Sequence, residues 1–487
     1  MEGPGFDNGF QSVDQMLRVY PAFLFGTPLG ISALFTSAII IVLTFVGERI
    51  KWIWIALVIY ITSLGTALAN TGNGFVLANN LLSPFDQLRS LNRPAAIFLL
   101  FMLTVRALFS PAGARRNGVG GATWAFFAFE IVGCLLLLSG STSRGIFGIV
   151  VFSLVFTSLA IGPHRWLAGP QQAYSALRAV LAVSILLILG IACHLLIRPL
   201  SMYLAGRLTG TTGNPQFLGA FLAFGLPTCY GLLLKRDEPV PWRIAAAGGL
   251  GMSVAFILMS GSRAAVIVSI FGVIVFFRRR LGQFLLASLV AVGVLLVGIQ
   301  LLGIGDSISS HLFSTDNSRA EAWRRLWQEF LSRPLIGVGT ESAAGESSYL
   351  SVLAQYGLIG SIPFFIAIWL MLRDSVRIVR KRGQFAFGKH AILADVAVAT
   401  LIEILVSGVF DNHLMATLSP AVFLIYLFLA IYAFLLDPGA FTQAPDGFGD
   451  GLQVGADCFG EVLDADGFAP APHAGSLGGR PHHGAQF

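Results

Sequence analysis

Charged residues are scarce in this chain. They make up 11% of its 487 residues, whereas a soluble domain needs roughly a quarter to a third of its surface positions charged. That shortage excludes a large water-soluble enzyme. Cysteine is sparse too: Cys134, Cys193 and Cys229 lie in apolar runs and Cys458 in a polar stretch. No paired spacing among them suggests a disulfide framework or a thiolate metal site. The N-terminus carries the acidic Glu2 and Asp7 and no basic n-region ahead of an apolar stretch; a cleavable signal peptide is not expected, and the first span should serve as its own insertion signal. Against 25 Asp and Glu there are 31 Lys and Arg, a formal charge of +6, which cytoplasmic loops of a membrane protein absorb, so no nucleic-acid partner follows.

What the chain has in abundance is apolar sequence. Hydrophobic residues make up 55%, and phenylalanine alone occurs 40 times. Apolar runs of about 18 to 25 residues recur, the length that crosses a bilayer as a helix. The reading is an all-α, polytopic transmembrane bundle. Spans are predicted near residues 22–46, 52–69, 94–110, 121–140, 144–162, 179–197, 217–234, 243–260, 264–277, 282–303, 348–371, 391–410 and 415–436, about twelve or thirteen in all. Residues 1–21 form an N-terminal segment, 22–436 the membrane domain, and 437–487 a Gly-, Pro-, Asp- and His-rich tail expected to be disordered, His482 and His483 included. Basic residues set the orientation. Arg49 and Lys51, Arg115 and Arg116, Lys235 and Arg236, Arg278 to Arg280, and the group Arg373, Arg377, Arg380, Lys381, Arg382 and Lys389 follow alternate turns and predict those loops to be cytoplasmic.

In that topology two polar loops face outward, near residues 198–216 and 304–347. The second concentrates Asp306, His311, Asp316, Arg319, Glu321, Arg324, Arg325, Glu329, Arg333, Glu341 and Glu346 between two apolar runs. Arg198, Arg207, Arg263 and the loop arginines all oppose the positive-inside bias, which an outward anion site would explain. Ser318-Arg319-Ala320-Glu321 has the capping-box pattern, and Ala320, Trp323, Trp327, Phe330 and Leu331 follow at helical spacing. They predict an amphipathic helix ending before Arg333-Pro334, with Arg319 and one or both of Arg324 and Arg325 facing a polar cavity. Glu346 then stands at the start of the next span. In the first loop, Asn214-Pro215 reads as a helix cap followed by proline, leaving backbone amides beside Arg207 for a phosphate. Glu130, His194 and Glu403 are ionisable groups in or near spans, and Asp411 and His413 sit at an outer turn.

These pieces carry a resemblance. The ordered set Arg207 with Thr-Gly-Thr-Thr-Gly-Asn-Pro, Ser-Gly-Ser-Arg263, Arg319 with Trp323, Arg333-Pro-Leu-Ile-Gly-Val-Gly339, and Glu346-Ser-Ser-Tyr-Leu350 through Gly357 to Gly360 is similar to the O-antigen ligase and O-antigen polymerase family, over roughly residues 180–435. The resemblance implies a GT-C-like helical bundle in the bacterial inner membrane that acts at the periplasmic face. It further implies transfer of a glycan from undecaprenyl diphosphate to an acceptor without metal or other cofactor, with a chain-length regulator as partner. On that reading Arg207, Arg263 and Arg319 bind the diphosphate, and Glu346 with Arg319 forms the catalytic pair, Glu346 as general base. Family members usually carry histidine where Glu346 stands. Ligases for lipid A-core generally keep it, so its absence tilts the expectation towards a polymerase of lipid-linked repeat units for O-antigen, capsule or exopolysaccharide. Ligase and protein O-oligosaccharyltransferase are the alternatives within the family, and a lipid-linked-sugar flippase the alternative outside it. No internal duplication of the transporter kind is evident.

Overall fold

The computed structural model describes residues 49–437, apart from 66–67, 71–74, 78–80, 111–118, 205, 280–281, 283–318, 340–344 and 383–387. Helices dominate it, because in hydrocarbon a helix alone can satisfy its own backbone donors and acceptors. In chain order they are α1 (Ile50–Ser63), α2 (Phe85–Ser90), α3 (Asn92–Phe109), α4 (Gly121–Gly140), α5 (Thr142–Val155), α6 (Gly162–Trp166), α7 (Pro170–Ile197), α8 (Pro215–Leu234), α9 (Val240–Met259), α10 (Arg263–Phe277), α11 (Arg319–Ser332), α12 (Ser348–Lys381), α13 (Gly388–Phe410) and α14 (Pro420–Leu436). A π-helical turn, Phe156–Ile161, joins α5 to α6 into one span. Among the described residues the only strands form two small antiparallel hairpins, Leu68–Asn70 with Phe75–Leu77 and Tyr203–Leu204 with Arg207–Leu208.

Among the described residues, eight helical segments are long and apolar enough to cross a membrane, and α1, α10 and α14 are shorter apolar helices. The chain is therefore a multi-pass, all-α membrane protein. The spans predicted near 22–46 and 282–303, the segment 1–21, Asp306, His311, Asp316, Ser318 and Glu341 lie outside the described residues, as does the tail after Asp437. Several predicted boundaries move: α7 begins at Pro170 rather than 179, and α12 runs on to Lys381 rather than 371. The span expected to run to residue 69 stops at Ser63, where Leu64 turns extended. The last helix starts at Pro420 rather than 415, because Ser419 caps it and Asp411–Ser419 forms a polar loop.

Burial follows composition. α14 is apolar on every side and almost wholly buried, packing on α1, α6, α12 and α13, as expected for a central helix. α8 is enclosed by α7, α9, α10 and α13. Large apolar side chains such as Leu196, Ile244, Ile359 and Trp369 remain exposed on the bundle, a surface suited to lipid rather than water. The ion pairs at the end predicted to be cytoplasmic include Arg278 and Arg382 on Asp395, and Arg178 and Lys235 on Glu238.

Candidate functional site

The polar loop returns to the bundle along a path fixed by its own sequence. α11 is amphipathic and buries Leu326 and Phe330 against Leu350, Leu353 and Ala354 of α12. Trp327 and Leu331, on the side expected to lie on the bundle or the membrane interface, are exposed, and so are Arg324 and Arg325. α12 offers α11 one narrow apolar strip, which Leu326 and Phe330, four residues apart, are enough to cover. After α11, the Pro334–Gly339 segment docks on a break in α12. Leu358 N and Ile359 N donate to the Pro334 and Leu335 carbonyls at 2.8 and 3.1 Å, and Val338 N donates to the Ala354 carbonyl at 2.8 Å. Gly337 and Gly357 both take positive φ, 71° and 63°, and a Cβ on Gly357 would stand 2.5 Å from Gly337 N. The Arg-Pro-Leu-Ile-Gly-Val-Gly segment and the later glycine motif are thus two sides of one backbone joint.

That joint leaves Arg319 and Glu346 facing each other. Arg319 Nε lies 3.0 Å from Glu346 Oε2, the two side chains 15% and 42% exposed. The contact is an ion pair without the alignment of a hydrogen bond. Trp323 Nε1 holds the position by donating to the Glu346 carbonyl at 3.2 Å. The Arg319 guanidinium also sits over the Phe410 ring, 5.4 Å from its centroid. Phe410 ends α13, and the next residue, Asp411, is buried with its carbonyl accepting from Ser348 N and Ser348 Oγ at 2.9 and 2.6 Å. The end of α13 is in this way bolted to the start of α12, and both flank Arg319.

Arg207 and Arg263 complete the cluster. Arg207 leaves the second hairpin and donates from Nε to the Ser260 carbonyl at 2.9 Å. Ser260 belongs to the turn that ends at Ser262, the cap of α10, and Arg263 is the first residue of that helix. Burial, then the charges of Arg319 and Arg263, push the Arg207 guanidinium below its ordinary value. Arg207 is therefore within electrostatic reach of both other arginines picked from widely separated motifs. Like charges gathered this way repel, and a multivalent anion placed between them relieves the repulsion.

Other expectations fare differently. The amides expected to await a phosphate at Asn214-Pro215 are already taken: Asn214 Oδ1 accepts from Gln216 N and Phe217 N, and proline has no amide to give. Arg198 and Arg333 are exposed. His194 is structural, since its Nε2 accepts from Leu82 N at 2.8 Å and its Nδ1 meets the Gly190 carbonyl. Glu130 receives Thr417 Oγ1 at 3.1 Å and ties α4 to the Asp411–Ser419 loop. Glu403 lies fully buried within α13.

Sequence reasoning gave Asp411 little weight, and the structure brings it into the cluster. Burial pushes its carboxyl from 3.8 up to about 7, against the charge of Arg319 and with help from Glu346. The folded protein thus keeps a proton that the unfolded chain has released. The stabilisation this provides is complete below pH 3.8 and is lost as pH rises to about 7. Asp411→Asn removes the titration, so its melting temperature relative to the wild type should climb between those limits and level off above them. Melting curves of the detergent-purified proteins at several pH values provide the check, and a constant difference would contradict the assignment.

A family model described as O-antigen ligase matches residues 248–365 of the chain. The match contains Arg263, Arg319, Glu346 and the Gly337–Gly357 joint, while Arg207 and Asp411 lie outside it. It supports membership of the O-antigen ligase and polymerase family. No curated protein matches the chain.

Proposed function

We propose, from the O-antigen ligase match together with the arginine cluster, that this protein is a polymerase that joins undecaprenyl-diphosphate-linked oligosaccharide repeat units at the periplasmic face of the bacterial inner membrane. The observation that carries the reading is the Arg319–Glu346 pair with Arg207 and Arg263 beside it. A glycosyl diphosphate needs fixed cations more than a proton donor, since its leaving group departs already charged. Arg207, Arg263 and Arg319 supply them, and a diphosphate entering the cluster competes with Glu346 for Arg319. Once released, the Glu346 carboxylate takes the proton of the acceptor hydroxyl. The hydroxyl oxygen bonds to the anomeric carbon as the bond from that carbon to the diphosphate oxygen breaks, and undecaprenyl diphosphate leaves with the electron pair. No metal enters this scheme.

The test is genetic and chemical. Glu346→Gln keeps shape but cannot take the proton, and should lower transfer by roughly a hundredfold or more. Cells carrying it at normal protein levels should show surface glycan capped with single repeat units. Full-length polymer retained on undecaprenyl diphosphate would point to a ligase instead. Repeat units trapped on the cytoplasmic leaflet would point to a flippase, and unaltered glycan would remove Glu346 from the reaction.

A further inference from the structure

α11 has a second apolar side. Leu326 and Phe330 face α12, while Trp327, Leu331, Leu335 and Ile336 stand exposed along the helix and the segment that follows it. Large apolar groups in such a row call for cover. Where they meet α12 shows what covers them: Leu358 N and Ile359 N donate to the Pro334 and Leu335 carbonyls, and from Ile359 the exposed side chains Ile362, Ile366 and Trp369 recur at helical spacing along the span. The exposed side of α11 thus continues the stripe that α12 turns to lipid.

Helix length gives the depth. The basic end of α12 begins at Arg373, whose guanidinium lies over the Trp369 ring, 5.4 Å from its centroid, a tryptophan and a cation together as at a membrane interface. About 20 residues of helix cross the hydrocarbon, so counting back from Arg373 brings its far edge close to Leu353. Leu353 is where α11 packs. α11 therefore lies at headgroup level, and Leu335 and Ile336, docked about one turn further along α12, reach the acyl chains. The charges on this side fit the same occupant. At 3.6 residues per turn Arg324 lies about 60° from Trp327 around the helix, and Arg333 falls between Leu331 and Leu335 in the chain; both are exposed, and no ion pair engages either among the described residues. Arg325 lies about 160° from Trp327, on the side turned away. Arginines flanking an apolar strip at this depth can lay their stems on it and carry their heads to acidic phosphates.

We infer that this side of α11 docks on the membrane leaflet adjoining the arginine cluster, with Trp327, Leu331, Leu335 and Ile336 at the acyl border and Arg324 and Arg333 holding acidic lipid headgroups. The helix that turns Arg319 to Glu346 is then held from both sides, by α12 and by lipid. The inference does not depend on the transferase reading. Tryptophan fluorescence of the full chain in nanodiscs tests it, with the signal of the Trp327→Phe protein subtracted to isolate Trp327. Phosphatidylglycerol and phosphatidylcholine, each brominated on its acyl chains, are supplied in turn over the same range of low mole fractions. Both should quench Trp327, and phosphatidylglycerol should do so at about a fivefold lower mole fraction, the worth of one basic residue at an acidic lipid surface. Arg324→Gln combined with Arg333→Gln should bring the two lipids within twofold of each other, whereas Arg325→Gln should leave the preference as it is. Equal quenching by the two lipids in the wild type, a preference that the double variant keeps, or one that Arg325→Gln also abolishes overturns the headgroup site. Quenching of Trp327 by aqueous acrylamide with none by either brominated lipid overturns the docking altogether and gives this face to a protein partner.

Discussion

Replacing Arg319 with alanine is expected to reduce glycan transfer by about a thousandfold while leaving the protein inserted and folded. The expectation follows from position. Arg319 is paired with Glu346, lies over Phe410 and is felt by both Arg207 and Asp411, so three other charges of the cluster converge on it. Removing a fixed charge aimed at a developing anion costs about a hundred- to a thousandfold in rate, and the loss here also unbalances Glu346. The fold itself depends on Arg319 little, because a part-exposed ion pair contributes about 1 kcal/mol at most. Arg319→Lys keeps the charge without the fork and should recover part of the activity. Transfer from a lipid-linked donor in membranes containing matched protein levels measures both. Arg319→Ala activity within tenfold of the wild type would remove this residue from the chemistry.

The second large effect is on stability. Gly357→Ala is expected to cost about 3 kcal/mol or more, seen as a lowered melting temperature and reduced protein in the membrane. Gly357 has φ 63° and ψ −173° inside α12, a region open essentially to glycine, and a side chain there costs about 1–3 kcal/mol. A Cβ would also stand 2.5 Å from the Ile336 and Gly337 amide nitrogens, which are backbone atoms and cannot swing away. Gly337→Ala meets the Gln355 carbonyl oxygen at 2.3 Å from the other side. Both changes open one joint, so the double variant should be little worse than either alone, a non-additivity expected of residues in contact. Additive losses, or a Gly357→Ala protein as stable as the wild type, would show that the joint is not what holds α11 to α12.

Most of the architecture was legible because it rests on local rules. A helix must bury an apolar length to cross a membrane, and runs such as 121–140 and 217–234 matched α4 and α8 within two residues. α11 was also legible, since its period and its stop at Arg333-Pro334 are written in consecutive residues. Its buried face was not, because Leu326 and Phe330 win over Trp327 and Leu331 only through the strip that α12 presents. The short helix α14 was misplaced at its start for a similar reason: residues 415–419 read as the apolar beginning of a span until Ser348 and Glu130 are seen to hold the Asp411–Ser419 stretch as a loop.

By itself the sequence determined the membrane class, the polar segments and the residues worth suspecting, because scarcity of charge in an oily chain makes each charge informative. It also picked out Arg207, Arg263, Arg319 and Glu346, since each breaks a pattern where it stands. Only the tertiary structure decided that the three arginines share one field, that Glu346 is paired with Arg319, that Asp411 joins them, and that Asn214 spends its oxygen on its own helix. Electrostatic reach and desolvation depend on distance and burial, and residues as far apart in the chain as 207 and 411 acquire both only when the helices pack.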